Sequence, residues 1–129
     1  MRFSAVLLAA LSAVTVGYAQ TASGTGDLTF YAPGLGSCGH TNTDADFVVA
    51  IDTATITSFP GATANPNLNP MCGRQISITV PGAAGPVMAT VVDTCFGCAR
   101  GSIDVSPAVF QQVAALSVGR ISGVSWTLV

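Results

Sequence analysis

Apolar and polar positions alternate most regularly in RQISITV (74–80), where Ile76, Ile78 and Val80 fall on one side and Gln75, Ser77 and Thr79 on the other. A period of two describes a strand with one buried and one wet face. VSWTLV (124–129) repeats the pattern with Val124, Trp126 and Leu128, and 24–31 reads as a turn running into the strand DLTFY, with Leu28 and Phe30 opposite Thr29 and Tyr31. DFVVAI (46–51) and VMATVVD (87–93) are nearly continuous apolar runs, and the second delivers Asp93 at its end. Ile103 to Val105 adds a short strand. A helical period occurs after Ser106-Pro107, an N-cap followed by a proline at the first helical position; Val109, Val113 and Leu116 then share one face, which predicts a helix of about two to three turns. The intervening stretches PGLGSCGHTNTD (33–44), TSFPGATANPNLNPMCG (57–73) and PGAAGP (81–86) carry turn chemistry. A loop as long as the second is either functional or tethered. Six short strands and one helix predict an all-β fold, a small closed barrel rather than an open sandwich, because closure removes the unpaired edges that a small sheet exposes.

The first residues do not belong to that pattern. Arg2 precedes an apolar run from Ala5 to Val16 and then Gly17-Tyr18-Ala19, which places small residues before a cleavage point; residues 1–19 therefore read as a signal peptide. The run is too short for a membrane span, and no later stretch reaches about 18 apolar residues, so a soluble, exported protein is expected. Residues 20–129 suffice for one domain. They contain no lysine and no glutamate, only Arg74, Arg100 and Arg120 against six aspartates. Three scattered arginines cannot neutralise a phosphate track, which argues against nucleic acid and anionic membranes as partners.

Export makes Cys38, Cys72, Cys95 and Cys98 candidates for disulfides. Three pairings are open; Cys38 with Cys72 and Cys95 with Cys98 is favoured, because two cysteines of a tight turn can meet locally and leave the other pair for each other. Closing the longer loop contributes about 3.5 to 4 kcal/mol in the chain-entropy picture, and the shorter one about half that or less. A redox site fits poorly, since CFGC runs into Ala-Arg-Gly-Ser rather than opening a helix. A zinc site lacks a second Cys-x-x-Cys or a spaced histidine pair, and His40 stands alone in a loop. Neither metal nor cofactor is expected. The carboxylates carry more chemistry: Asp93 at a strand end and Asp104 before the helix cap could converge at a barrel mouth. A pair of acids suits glycoside hydrolysis, at about 5 to 5.5 Å for retention and about 6.5 to 9.5 Å for inversion. The structural alternatives are that Asp104 accepts N–H groups at the helix start and that Asp44 closes an Asx turn. Tyr31 and Phe96 are aromatics that could stack on sugar rings at the same mouth or fill the core.

GDLTFYAPGLGSCGHTNTDADFVVAI, NPMCGRQISITV, ATVVDTCFGC, SIDVSPAVFQQVA and VGRISGVSWTLV together resemble the loosenins, single-domain expansin-related proteins of the RlpA-like double-psi β-barrel superfamily that also contains barwin. The resemblance implies a six-stranded double-psi barrel with a shallow polysaccharide groove. The Thr-x-Tyr element of expansins matches Thr29-Phe30-Tyr31, and their His-Phe-Asp element matches Ser102-Ile103-Asp104, with the aspartate retained and the histidine not. Pro33 stands where related inverting endoglucanases carry their general base, and Asp93 where RlpA-type lytic transglycosylases carry an aspartate. The expectation is a secreted monomer that binds cellulose, a related glucan or chitin through Thr29, Tyr31, Asp44, Asp93 and Phe96. Asp104 would serve as acid or sugar contact, loosening the polymer without cutting it. A weak hydrolase or lytic transglycosylase, and a cysteine-protease inhibitor or effector acting through PGLGSCGH and PNLNPMCG, are the alternatives.

Overall fold

The computed structural model describes residues 20–129, and the expected signal peptide lies outside the described residues. The strands are β1 Ser23–Phe30, β2 Val48–Asp52, β3 Gln75–Thr79, β4 Val87–Cys95, β5 Ile103–Val105 and β6 Arg120–Leu128. Two short helices, α1 Thr53–Ser58 and α2 Pro107–Phe110, follow β2 and β5. The sheet closes on itself in the order β1-β5-β2-β4-β3-β6. Pairs β1–β5 and β2–β4 run parallel and the other four antiparallel. The barrel is closed, as the pattern predicted, and of the six-stranded double-psi kind that the resemblance implied. No helix among the described residues is long and apolar enough to cross a membrane.

Period-two alternation places the core. Ile76 and Ile78 are buried while Gln75 and Thr79 are exposed, and Val124, Trp126 and Leu128 point inward from β6. Phe30 tilts against Phe110 with ring centroids 4.9 Å apart, joining β1 to α2. β6 begins at Arg120, four residues earlier than its alternation predicts. Ile121 and Val124 are out of phase by one residue, and a bulge between the pairs Gly26–Val124 and Leu28–Ile121 absorbs the difference.

The helical prediction is corrected in two places. The helix after Ser106 stops at Phe110, after which Gln111–Val113 form turns and Leu116–Val118 a 3-10 turn. Val109 and Phe110 already fill the core, and Gln111 and Gln112 face solvent, so a second turn has little left to bury. α1, in contrast, forms from TATITS, a stretch without helical periodicity and rich in β-branched residues. Its support is tertiary: Ile56 enters the core, and Asp52, fully buried, caps the helix. One oxygen of Asp52 accepts from Thr55 N at 2.8 Å and the other from Gly101 N at 3.0 Å.

Disulfides join Cys38 to Cys72 and Cys95 to Cys98. The first ties the end of the long 57–73 excursion to the 33–44 loop, which is the tether that a loop of this length requires. The segment after the second crosses the start of β1 so closely that a Cβ on Gly101, at φ +88°, would lie 2.4 Å from the Thr25 carbonyl oxygen.

Replacing Asp52 with alanine strands two buried N–H groups and removes a cap, so a loss of about 2 to 4 kcal/mol is expected. Asp44→Ala, at an exposed position, should stay within about 0.5 kcal/mol. Urea denaturation midpoints of the two variants measure both.

Candidate functional site

Register builds the site. Arg120 on β6 pairs with Thr29 on β1, Thr29 with Asp104 on β5, Asp104 with Ala50 on β2, and Ala50 with Asp93 on β4. Five strands thus contribute one cross-strand row, Arg120–Thr29–Asp104–Ala50–Asp93, at about 4.8 Å per step. Ile103 and Val105 on either side of Asp104 are buried, so alternation turns Asp104 outward. The row floors an open groove of about 630 Å³. The Cys95–Cys98 turn forms one wall, and Phe96 stands on it, 83% exposed.

Tyr31 follows β1 and is held by its N–H donating to the Val105 carbonyl at 2.9 Å. Its hydroxyl is buried and makes no hydrogen bond of good geometry, although Asp93 lies close enough to act on it. Burial pushes its ionisation well above the usual phenol range, and the charges of Asp93 and Asp104 push it further. Those two aspartates flank Ala50 in the row.

The two groove aspartates differ in how they are engaged. One oxygen of Asp93 accepts from Ser37 N at 2.9 Å and from Thr94 N at 2.8 Å, which fastens the 33–44 loop to the barrel. Asp104 accepts a single hydrogen bond, from the Thr29 hydroxyl at 3.1 Å, and its second oxygen has no bonded partner among the described residues. Burial raises the Asp104 pKa above the ordinary carboxylate range; the Thr29 hydrogen bond opposes this, the Asp93 charge adds to it, and Arg120 opposes it.

The structure brings Thr29, Tyr31, Asp93, Phe96 and Asp104 together in the groove lining and leaves Asp44 out. It also decides two local alternatives. Ser106, not Asp104, caps α2. Neither aspartate makes an Asx turn: Asp46 closes the 43–46 turn instead, its N–H donating to the Thr43 carbonyl at 3.1 Å and its carboxylate reaching back to accept from Thr43 N at 2.8 Å, and that hydrogen bond together with one from Asn42 lowers its pKa. Arg120 and Asp27 escaped the sequence reading; they form an ion pair at 2.8 Å on the groove rim. A pairing across 93 residues leaves no local trace, and Arg120 lies before the part of β6 that alternation reveals. Among the described residues, no group of three or more His, Cys, Asp or Glu side chains is arranged to hold a metal.

This closed, six-stranded architecture with parallel and antiparallel pairs defines a double-psi β-barrel protein of the RlpA-like, barwin-like kind. No family model matches the chain. It is 38% identical over 108 residues to the papain inhibitor of Streptomyces mobaraensis, covering 81% of this chain and 71% of that protein. The structure of the Streptomyces papain inhibitor superposes with a TM-score of 0.71 and 32% identity over 84% of this chain and 94% of the other. The chain therefore belongs to the family of the Streptomyces papain inhibitor. It is also 36% identical over 117 residues to the allergen Asp f 7 homolog of Arthroderma benhamiae, covering 79% of this chain but only 38% of that protein. A Clavibacter michiganensis expansin solved in complex with cellohexaose shares the fold, with a TM-score of 0.64 and 23% identity, over 84% of this chain and 50% of the expansin chain.

The folded state holds the Asp104 proton more tightly than the unfolded chain, so stability falls as pH rises from the ordinary carboxylate pKa through the folded one. NMR titration of the Asp104 carboxyl should give a midpoint above the usual range. Asp93→Asn should lower that midpoint by removing a repelling charge, and Thr29→Val should raise it by removing the donated hydrogen bond.

Proposed function

We propose that the protein is exported, binds a cell-wall β-glucan or chitin in the groove, and loosens contacts between polymer chains without cutting them. The observation that carries this reading is a half-buried Asp104, one oxygen uncommitted, sharing an open groove with Tyr31 and an exposed Phe96. A carboxylate accepts from sugar hydroxyls, and an exposed aromatic face covers the apolar side of a sugar ring. The expansin solved with cellohexaose has the same fold, which supports the choice of ligand class through architecture alone. Inverting hydrolysis requires a second carboxylate that activates water. Here Asp93 is engaged by two backbone N–H groups, and Pro33 occupies the position at which related endoglucanases would carry the base. These features favour loosening over cleavage.

A second reading rests on kinship with the papain inhibitor and on one feature of the surface. Leu35 and Leu68 are 76% and 66% exposed on the two loops that the Cys38–Cys72 bridge joins. The loops touch, since a Cβ on Gly39 would lie 3.0 Å from the Asn67 side chain. Two apolar side chains on an edge stapled by a disulfide suit the cleft of a papain-like protease, and the restraint lowers the entropy lost on docking.

Binding to insoluble cellulose or chitin should weaken about 2- to 13-fold in Phe96→Ala. Digestibility by an added glycosidase should increase after treatment with the native protein, with no release of reducing ends. Reducing ends that appear with the native protein and vanish in Asp104→Asn would instead establish a hydrolase or lytic transglycosylase. Inhibition of papain that is lost in the Leu35→Asp/Leu68→Asp variant, with glucan binding intact, would establish the second reading.

A further inference from the structure

A second cleft, of about 450 Å³, lies on the far side of the stapled turn. Thr25, Thr55 and Ser58 supply hydroxyls to it, Phe59 and Pro60 an apolar wall, and Arg100 a cation. The two depressions share a seam. Thr25 and Gly101 line the second cleft while Asp27 and Ser102, their near neighbours in sequence, line the groove, where Asp27 N donates to the Ser102 hydroxyl at 3.0 Å.

The charges on the two sides are opposite. Asp93 and Asp104 lie in the groove, whose Arg120 is paired with Asp27. The second cleft contains Arg100, and among the described residues no carboxylate lines it. Arg120 pairs with Asp27 and Arg74 donates to the Val129 carbonyl at 3.2 Å, whereas Arg100 is exposed and forms no ion pair or hydrogen bond among the described residues. Its backbone is nonetheless fixed. Gly101 N donates to Asp52, the Gly101 carbonyl accepts from the Trp126 indole at 3.0 Å, and Cys98 is bonded to Cys95. Asp52 is sealed from solvent and its two oxygens accept from backbone N–H groups, and it makes no hydrogen bond or ion pair with the guanidinium. An uncommitted guanidinium on an anchored backbone, beside hydroxyls and an apolar wall, matches a planar carboxylate on a sugar ring.

We propose that this second cleft binds an acidic sugar residue of the polymer whose neutral residues occupy the groove, with Arg100 pairing with its carboxylate; the inference rests on the glucan-binding reading of the groove. The opposed charges then fix the direction in which the chain lies, because an acid at the other end would meet Asp93 and Asp104. The favoured ligand is a mostly neutral β-linked chain with sparse carboxylates, rather than a polyanion.

The test is an amide NMR titration of the protein with cellohexaose and with cello-oligomers of equal length that carry one carboxylate at either end. The expected result is that all the oligomers move the amides of Thr94, Phe96 and Asp104. One of the two acidic oligomers should also move Thr55, Ser58 and Gly101, and bind about fivefold tighter at low ionic strength. Arg100→Gln should abolish that preference and leave cellohexaose binding unchanged, while Arg74→Gln should alter neither. If the groove amides respond but neither acidic oligomer moves the second cleft or binds more tightly, the acid-binding inference is overturned and the groove reading stands. If only the second cleft responds, the acid site stands as a separate pocket and the continuous track is overturned; silence at both sites removes both.

Discussion

The site depends on a strand of three residues. β5 pairs in parallel with β1 on one side and antiparallel with β2 on the other, so it is the element that closes this part of the barrel. Side chains alternate along a strand, and a slip of one residue would turn Ile103 and Val105 to solvent and bury Asp104. Both apolar residues are essentially sealed, which makes the correct register by far the cheaper arrangement. The same pairing aligns Thr29, Asp104, Ala50 and Asp93 into one row, so the chemistry of the groove is a by-product of how the core is sealed.

Much of this was legible in the sequence because it follows from short-range rules. Ile76 and Ile78, or Trp126 and Leu128, declare an inward face by spacing alone, and Ser106-Pro107 marks a helix start wherever the helix goes afterwards. Closure into a barrel followed from strand number and chain size. The resemblance carried Thr29, Tyr31 and Asp104 into one groove before their contacts were known. What stayed hidden was set by specific contacts, some local and some distant in sequence, that no hydrophobic period marks. TATITS becomes a helix because Asp52 caps it and Ile56 is drawn into the core, and the Asn42–Asp46 turn settles on Asp46 rather than Asp44 through two specific hydrogen bonds. Asp52 itself resembled any strand-end carboxylate, yet it fastens α1 to the segment after the second disulfide.

The polar groups divide between those that hold the molecule together and those without a committed partner among the described residues. Asp52, Asp46 and one oxygen of Asp93 accept backbone N–H groups, and the rim pair Asp27–Arg120 is exposed and of little energetic weight. The uncommitted groups are the second oxygen of Asp104 and the Arg100 guanidinium. The Tyr31 hydroxyl is buried without a well-aligned partner although Asp93 is close, which is unfavourable for the free protein.

The Cys95–Cys98 bridge has a consequence that follows from its span. A ring closed over three residues restrains the unfolded chain far less than the long bridge does, so its loss should leave the barrel closed. Yet the same four residues shape one flank of the groove and lead directly into the second cleft. A mild thiol reductant that reached only this bridge would therefore reshape the groove flank in a molecule that still looked native by circular dichroism, and under the proposed function it would act on ligand capture more than on folding.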